Sequence, residues 1–184
     1  MFDQVSIIGC GLIGSSVLRR LKKNKSAKKI ISYDNSKSVS EIVKKENLSD
    51  QLAANLSEAV KNSDFILIAT PLSSFENIIN SIKDNLKPGS ILTDTCSVKT
   101  AVNNVVKKLK IKNSTWIPGH PVAGTENSGP NAGFSDLFQD RWTILSPDKN
   151  VKDAEIKKTV LFWESMGSKV KIMSVEDHDK IISL

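Results

Sequence analysis

Short apolar runs alternate with longer amphipathic stretches along the chain. Residues 5–8 read as a buried strand ending at Gly9, and residues 12–23 as the helix that follows. Residues 29–33 and 36–46 repeat that pair. Residues 65–69 are apolar throughout, which suits a strand covered on both faces. A helix over about 74–86 is stopped by Pro88-Gly89. Residues 90–93, 98–109 and 115–117 continue as strand, helix, strand. The alternation predicts βαβ units around a mostly parallel sheet, an α/β fold.

The texture changes over 118–138, which holds Gly119, Pro121, Gly124, Gly129, Pro130 and Gly133. That stretch is too long and too rich in glycine and proline for a plain connection, and long structured loops in small domains usually carry function. Regular structure resumes with a strand at 142–145, an amphipathic helix at 153–166 and a strand at 169–173. Ser174-Val175-Glu176-Asp177 has the form of a capping box and opens a last helix.

Composition narrows the class. The 184 residues amount to about one domain. With 39% hydrophobic and 25% charged residues, the chain can bury a core and is not disordered by composition. The net charge is +6, but it is carried by dispersed lysines, and the arginines are only Arg19, Arg20 and Arg141. Aromatic residues make up 5%, so the stacking and arginine clusters of a nucleic-acid reader are missing. No apolar run approaches a membrane span. Cys10 and Cys96 form no disulfide framework, and no Cys/His group has metal-ligand spacing. The N-terminus lacks the look of a secretory leader. The expectation is a cytoplasmic protein with a small-molecule partner, no metal, no nucleic acid and no membrane.

Gly9-Cys10-Gly11-Leu12-Ile13-Gly14 is G-x-G-x-x-G. The string alone is weak evidence. Here it follows a predicted strand and opens a predicted helix, and Asp34 ends the second strand twenty residues after Gly14. This context predicts a Rossmann-type, doubly wound dinucleotide-binding domain. Gly9 permits the tight turn, Gly11 lets the backbone approach a pyrophosphate, and Gly14 lets the helix pack on the strand. Leu12 and Ile13 supply backbone N–H groups at the helix N-terminus. Asp34 would accept from the adenosine ribose hydroxyls and repel a 2′-phosphate, which favours NAD; Lys37 nearby leaves NADP open. An ordinary turn acid or helix cap would look the same. Thr70-Pro71 and Asp94-Thr95-Cys96-Ser97 follow strands at the same carboxyl edge, where ligands bind in such sheets. Ser97 also suits a helix cap, and Cys96 a small packed residue.

His120 sits between Gly119 and Pro121, just past the fifth predicted strand. A histidine held on such backbone is not expected to face a core. Its ordinary pKa suits taking a proton from a hydroxyl while hydride leaves the same carbon. His178, in the last helix, is expected at the surface or an interface. Thr125, Glu126, Asn127 and Ser128 in the glycine-rich stretch are polar residues suited to a substrate pocket or to plain turns.

These residues resemble the prephenate dehydrogenases, including the cyclohexadienyl (prephenate/arogenate) dehydrogenases. The resemblance is carried by the glycine motif, by Asp94-Thr95-Cys96-Ser97-Val98-Lys99, and by the run from Pro118 to Pro130. Ala132-Gly133-Phe134, Arg141-Trp142 and Glu176-Asp177-His178-Asp179 add to it. It implies NAD-dependent oxidative decarboxylation of prephenate to 4-hydroxyphenylpyruvate, or of arogenate to tyrosine. It also implies that His120 accepts the C4 hydroxyl proton and that Ser97 orients that hydroxyl, with Thr125, Glu126 and Ser128 near the substrate. In that frame 1–173 is the cofactor domain and 174–184 begins a helix toward a helical dimerisation domain. Family members pair through that domain and take a further His and Arg from it for the substrate, so the resemblance implies a homodimer for the full-length protein. A non-catalytic NAD-binding module and another dehydrogenase on the same fold are the alternatives.

Overall fold

A computed structural model describes residues 2–183. Its strands and helices alternate from the N-terminus: β1 (Phe2–Ile8), α1 (Leu12–Asn24), β2 (Ala27–Tyr33), α2 (Lys37–Lys45), β3 (Gln51–Leu52), α3 (Leu56–Val60), β4 (Phe65–Ile68), α4 (Leu72–Ile82), β5 (Ser90–Asp94), α5 (Lys99–Leu109) and β6 (Ser114–Ile117). The six strands pair in parallel in the order β3-β2-β1-β4-β5-β6. The chain starts in the middle, winds out one way, then returns to wind out the other. That reversal leaves a crevice between β1 and β4 at their carboxyl ends.

The apolar run of β4 shows why the periodicity vanishes there. Phe65 and Leu67 enter the core on one face, with Val17, Leu18, Leu21, Phe162 and Trp163. Ile66 and Ile68 enter the core on the other, with Phe75, Ile79, Val102 and Val106. Alternate side chains go to opposite faces, and helices cover both. Phe65 also stacks on Phe162, with ring centroids 4.2 Å apart.

The sequence reading passed over β3 and α3. Two residues of strand and five of helix are too short for a periodicity to register. They are fixed by capping and pairing: Asn55 accepts from the Glu58 N–H, and Glu58 folds back onto the Ala54 N–H. Gln51 and Leu52 gain their strand character only by lying beside Ile31 and Ser32.

The single mostly parallel sheet expected from the sequence is also incomplete. A second, three-stranded sheet is built from β7 (Gly119–Pro121), β8 (Trp142–Leu145) and β9 (Lys169–Ile172). β7 runs antiparallel to β8, with His120 opposite Ile144, and β8 runs parallel to β9. The first residues of the presumed loop are therefore a strand. Glycine and proline hide this in sequence, because β7 owes its conformation to the partner strand rather than to propensity. The rest of that segment is strapped to α1. Ser15 Oγ donates to the Pro130 carbonyl, and the Phe134 N–H donates to Ser16 Oγ. A Cβ on Gly133 would stand 2.1 Å from Ser15 Oγ, so a larger residue there would have to turn that hydroxyl away from the strap. α6 (Asp153–Ser165) crosses to the first core, and α7 (Val175–Ile182) packs on α5. Among the described residues no helix is long and apolar enough to cross a membrane.

Candidate active site

The glycine motif turns the chain from β1 into α1. Gly9 has φ +89°, and a Cβ there would lie 2.6 Å from the Ala69 carbonyl oxygen. A Cβ on Gly14 would lie 1.9 Å from the Gly9 carbonyl oxygen. Both glycines are demanded by the protein's own backbone. Gly11 is different: nothing in the chain comes within 4 Å of the Cβ it lacks. Gly11 also sits at the N-cap of α1, where no side chain caps the helix and no acid occupies the first turn. The first-turn N–H groups are thus left for an outside acceptor.

Asp34 closes this turn from β2. One carboxylate oxygen accepts from the Cys10 N–H at 2.7 Å and the other from the Ser36 N–H at 2.9 Å. Ser36, not Asp34, is the side chain that caps α2. Each Asp34 oxygen retains a lone pair for a further donor. A cavity of about 520 Å³ opens at the β1/β4 crevice, and Gly9, Gly11, Asp34, Thr70 and Pro71 all line it. Leu12, Ile13 and Gly14 do not; Leu12 and Ile13 pack against the core, and Gly14 is buried. Thr70 Oγ1 is buried with no hydrogen-bond partner in the described residues, an anomaly for a buried hydroxyl that a polar ligand would remove. The open space at Gly11 and the orphaned hydroxyl at Thr70 fit a dinucleotide, and neither has a use inside the fold.

Along the same edge, β5 ends in Asp94. Asp94 and Lys99 are fully buried and paired at 2.5 Å. Lys99 Nζ also donates to the Gly119 carbonyl at 2.5 Å, and Asp94 accepts from the Gly119 N–H at 3.0 Å and the Cys96 N–H at 2.9 Å. The ion pair therefore grips both backbone groups of the residue before His120. The sequence reading missed this pair. Its signal was present, since a lysine in the first turn of a helix opposes the helix dipole and asks for a partner.

His120 corrects two expectations. It is 9% exposed and lies on a strand, not on an open loop. Its Nδ1 is 2.8 Å from Nε2 of His178. His178, expected at the surface or an interface, is completely buried within the chain. Its own Nδ1 is 2.7 Å from Asp179 Oδ1. Asp179 also accepts from the Lys99 and Thr100 N–H groups, both at 2.9 Å, and so caps α5 from α7. Ser97 does not cap: Val98 holds the N-cap position without a side-chain bond. Burial, reinforced by His178 and Lys99, pushes the His120 pKa down to about 4. Burial works against the Asp179 carboxylate, but hydrogen bonds from Thr100, Lys99 and His178 hold it well below the usual range.

Ser97, Thr125, Glu126 and Ser128 are exposed, and the structure does not bring them into the cavity. Thr125 bonds within its own turn, to the Asn127 backbone. Cys96 is half-buried, and burial with the nearby Asp94 pushes its thiol up to about 12, which suits a packed residue rather than a nucleophile.

The family model for the prephenate dehydrogenase nucleotide-binding domain matches residues 17–172. A cyclohexadienyl dehydrogenase from Zymomonas mobilis is 35% identical over the whole chain, which spans 62% of that protein. Synechocystis arogenate dehydrogenase superposes with a TM-score of 0.89 at 26% identity, covering 98% of this chain and 63% of that one. Prephenate dehydrogenase from A. aeolicus, solved in complex with hydroxyphenyl propionate and NAD+, gives 0.88 at 28% identity, covering 100% and 64%. The chain thus spans less than two thirds of each of these relatives. Sequence, sheet order and motif geometry agree that the chain belongs to the prephenate dehydrogenase nucleotide-binding domain family.

Proposed function

We propose that residues 1–173 form the NAD-binding domain of a cytoplasmic, homodimeric dehydrogenase that oxidises and decarboxylates prephenate or arogenate. In this reading 174–184 open the helix that leads to the rest of the enzyme. The observation that carries it is the convergence of Gly9, Gly11, Asp34, Thr70 and Pro71 on one cavity, with His120 on β7 beside Gly119, which Asp94 at the end of β5 holds in place.

The chain's residues divide the work. The N–H groups of α1, reached past Gly11, would hold the pyrophosphate, with Leu12, Ile13 and Gly14 setting the helix start. Asp34 would accept from the adenosine ribose hydroxyls, and its charge disfavours a 2′-phosphate, so NAD is preferred over NADP. Thr70 and Pro71 would wall the crevice, with Thr70 Oγ1 gaining its missing partner. NAD, when bound, supplies the hydride acceptor. His120 would take the C4 hydroxyl proton as the C4–H leaves with its electron pair, and Ser97 would orient that hydroxyl. Loss of the C1 carboxylate as CO2 then leaves its electron pair in the ring. The ring becomes aromatic and the oxygen recovers a proton as a phenol. Aromatisation supplies the driving force, so the protein mainly has to position the reactants and polarise one O–H. A histidine pushed down to about 4 stays neutral, and so ready to accept, throughout the physiological range. Thr125, Glu126 and Ser128 would flank the substrate from the exposed segment.

The test is His120→Asn in the full-length gene product. Turnover with prephenate and arogenate should fall by roughly 10²–10⁴ while NAD affinity is kept. Undiminished turnover removes His120 from the chemistry. NAD binding without turnover in the unaltered full-length protein would leave a non-catalytic module.

A further inference from the structure

A base needs a free lone pair pointed at its substrate, and a neutral imidazole has only one in the ring plane. Which nitrogen keeps it is set by what the other nitrogen bonds. Among the described residues only Nδ1 of His120 is hydrogen-bonded, and its partner is Nε2 of His178. Two imidazoles cannot share that bond without one donor and one acceptor. The remaining ring nitrogen of His178 faces Asp179 at 2.7 Å.

The protons can be assigned in order from the far end. Asp179 is an ionised carboxylate and can only accept. The proton of its bond with His178 must therefore sit on His178 Nδ1. A neutral imidazole carries a single proton, so with that proton on Nδ1 the His178 Nε2 is bare. The proton between the two rings must come from His120 Nδ1. That leaves His120 Nε2 with the lone pair.

We propose that Asp179 and His178 are positioning residues that fix His120 in its Nδ1–H tautomer and present Nε2 as the proton acceptor. The inference rests on the base role proposed for His120. It adds that α7 does not merely lead away from the cofactor domain but sets the protonation of its base. Asp179 is well suited to the first position. It is anchored by the Lys99 and Thr100 N–H groups, at the positive end of α5, so it cannot swing away from His178. The charged and titratable groups around His120 are His178 and Asp179 from α7, Lys99 from α5 and Asp94 from β5, and the last two neutralise each other. The ring tilt of 68° between the two imidazoles, with centroids 5.1 Å apart, matches an in-plane hydrogen bond between edges rather than stacking.

The tautomer is directly readable. Nitrogen-15 histidine correlation spectra of the unaltered protein near pH 8 should show His120 protonated at Nδ1 and bare at Nε2. His178→Leu removes the acceptor and should move His120 toward the Nε2–H form. His178→Gln restores a carbonyl acceptor and should return it. In the full-length enzyme the leucine variant should lose at least about tenfold in kcat with the KM for NAD unchanged, and the glutamine variant should recover most of it. A wild-type His120 protonated at Nε2 overturns the proposal, and so does a glutamine variant no better than leucine. If the leucine variant fails to fold, the wild-type spectrum and the glutamine variant still decide. The two failures are distinguishable. Full activity in His120→Asn refutes the base role while leaving the tautomer reading standing. Loss of activity in His120→Asn with the wrong wild-type tautomer refutes only the relay.

Discussion

The Asp94–Lys99 pair gives the sharpest energetic prediction. Both side chains are fully buried, 2.5 Å apart, and between them bond the N–H and the carbonyl of Gly119. Lys99→Met keeps the length of the stem and removes the charge. Asp94 is then a buried carboxylate facing two backbone donors but no cation. Removing one partner of a buried pair costs about 3–5 kcal/mol, a large part of the ~5–15 kcal/mol that a domain has in total. With a urea m-value of about 2–3 kcal/mol/M, the unfolding midpoint should drop by about 1–2.5 M. Asp94→Asn strands the ammonium instead and should cost about as much. The double variant buries no charge, so its cost should fall well short of the sum, with a coupling of about 0.5–3 kcal/mol. Urea titrations of the four proteins close the cycle. A midpoint shift below about 0.5 M for Lys99→Met, or strict additivity in the double variant, refutes the reasoning. Any variant that folds should also lose turnover, because Gly119 sets the position of His120.

Other consequences are as direct. Gly14→Ala places a methyl 1.9 Å from the Gly9 carbonyl oxygen and should destabilise by about 1–3 kcal/mol or prevent folding. Gly11→Ala meets open space and should melt within a few degrees of the parent, yet bind NAD markedly more weakly; equal NAD affinity in a titration would count against the assignment of that space. Asp34→Asn should weaken NAD binding by about 10–100-fold, the worth of a charge-assisted hydrogen bond, and narrow the preference for NAD over NADP; parallel titrations of both cofactors check this. The folded pKa of His120, about 4, lies below its ordinary 6.5, so the unfolded chain takes up the proton first. Its contribution is complete above pH 6.5 and is lost as pH falls toward 4, by up to about 3 kcal/mol. Asp179, held below its ordinary 3.8, extends the loss further into acid. Melting temperatures across pH 3–8 should show a slope between 6.5 and 4 that flattens in His120→Asn, and an unchanged slope in that variant would refute the attribution.

Local pattern carried most of the fold. The βαβ alternation, the glycine turn and the acid at the end of β2 depend on residues close in sequence, and they were legible for that reason. Gly14 could be read as a steric necessity because the atom it avoids, the Gly9 carbonyl oxygen, belongs to the same turn, whereas Gly9 also stands against Ala69, sixty positions away. The relatives' motifs singled out His120 by its neighbours, again a local signal. What the sequence did not disclose depends on closures between distant segments. β7 is a strand only because Ile144 lies opposite His120, 24 positions later. His178 looks like a surface residue of an amphipathic helix until α7 is laid on α5, when it becomes the buried partner of a residue 58 positions away. Asp179 caps a helix that begins 80 positions earlier, a role no cap pattern in sequence can express. The sequence determined the elements and the cofactor turn, since those arise from periodicity and steric fit over a few residues. Tertiary structure alone decided the surroundings of His120. A buried charge or ring must find its partner wherever packing brings one, and packing does not respect distance along the chain.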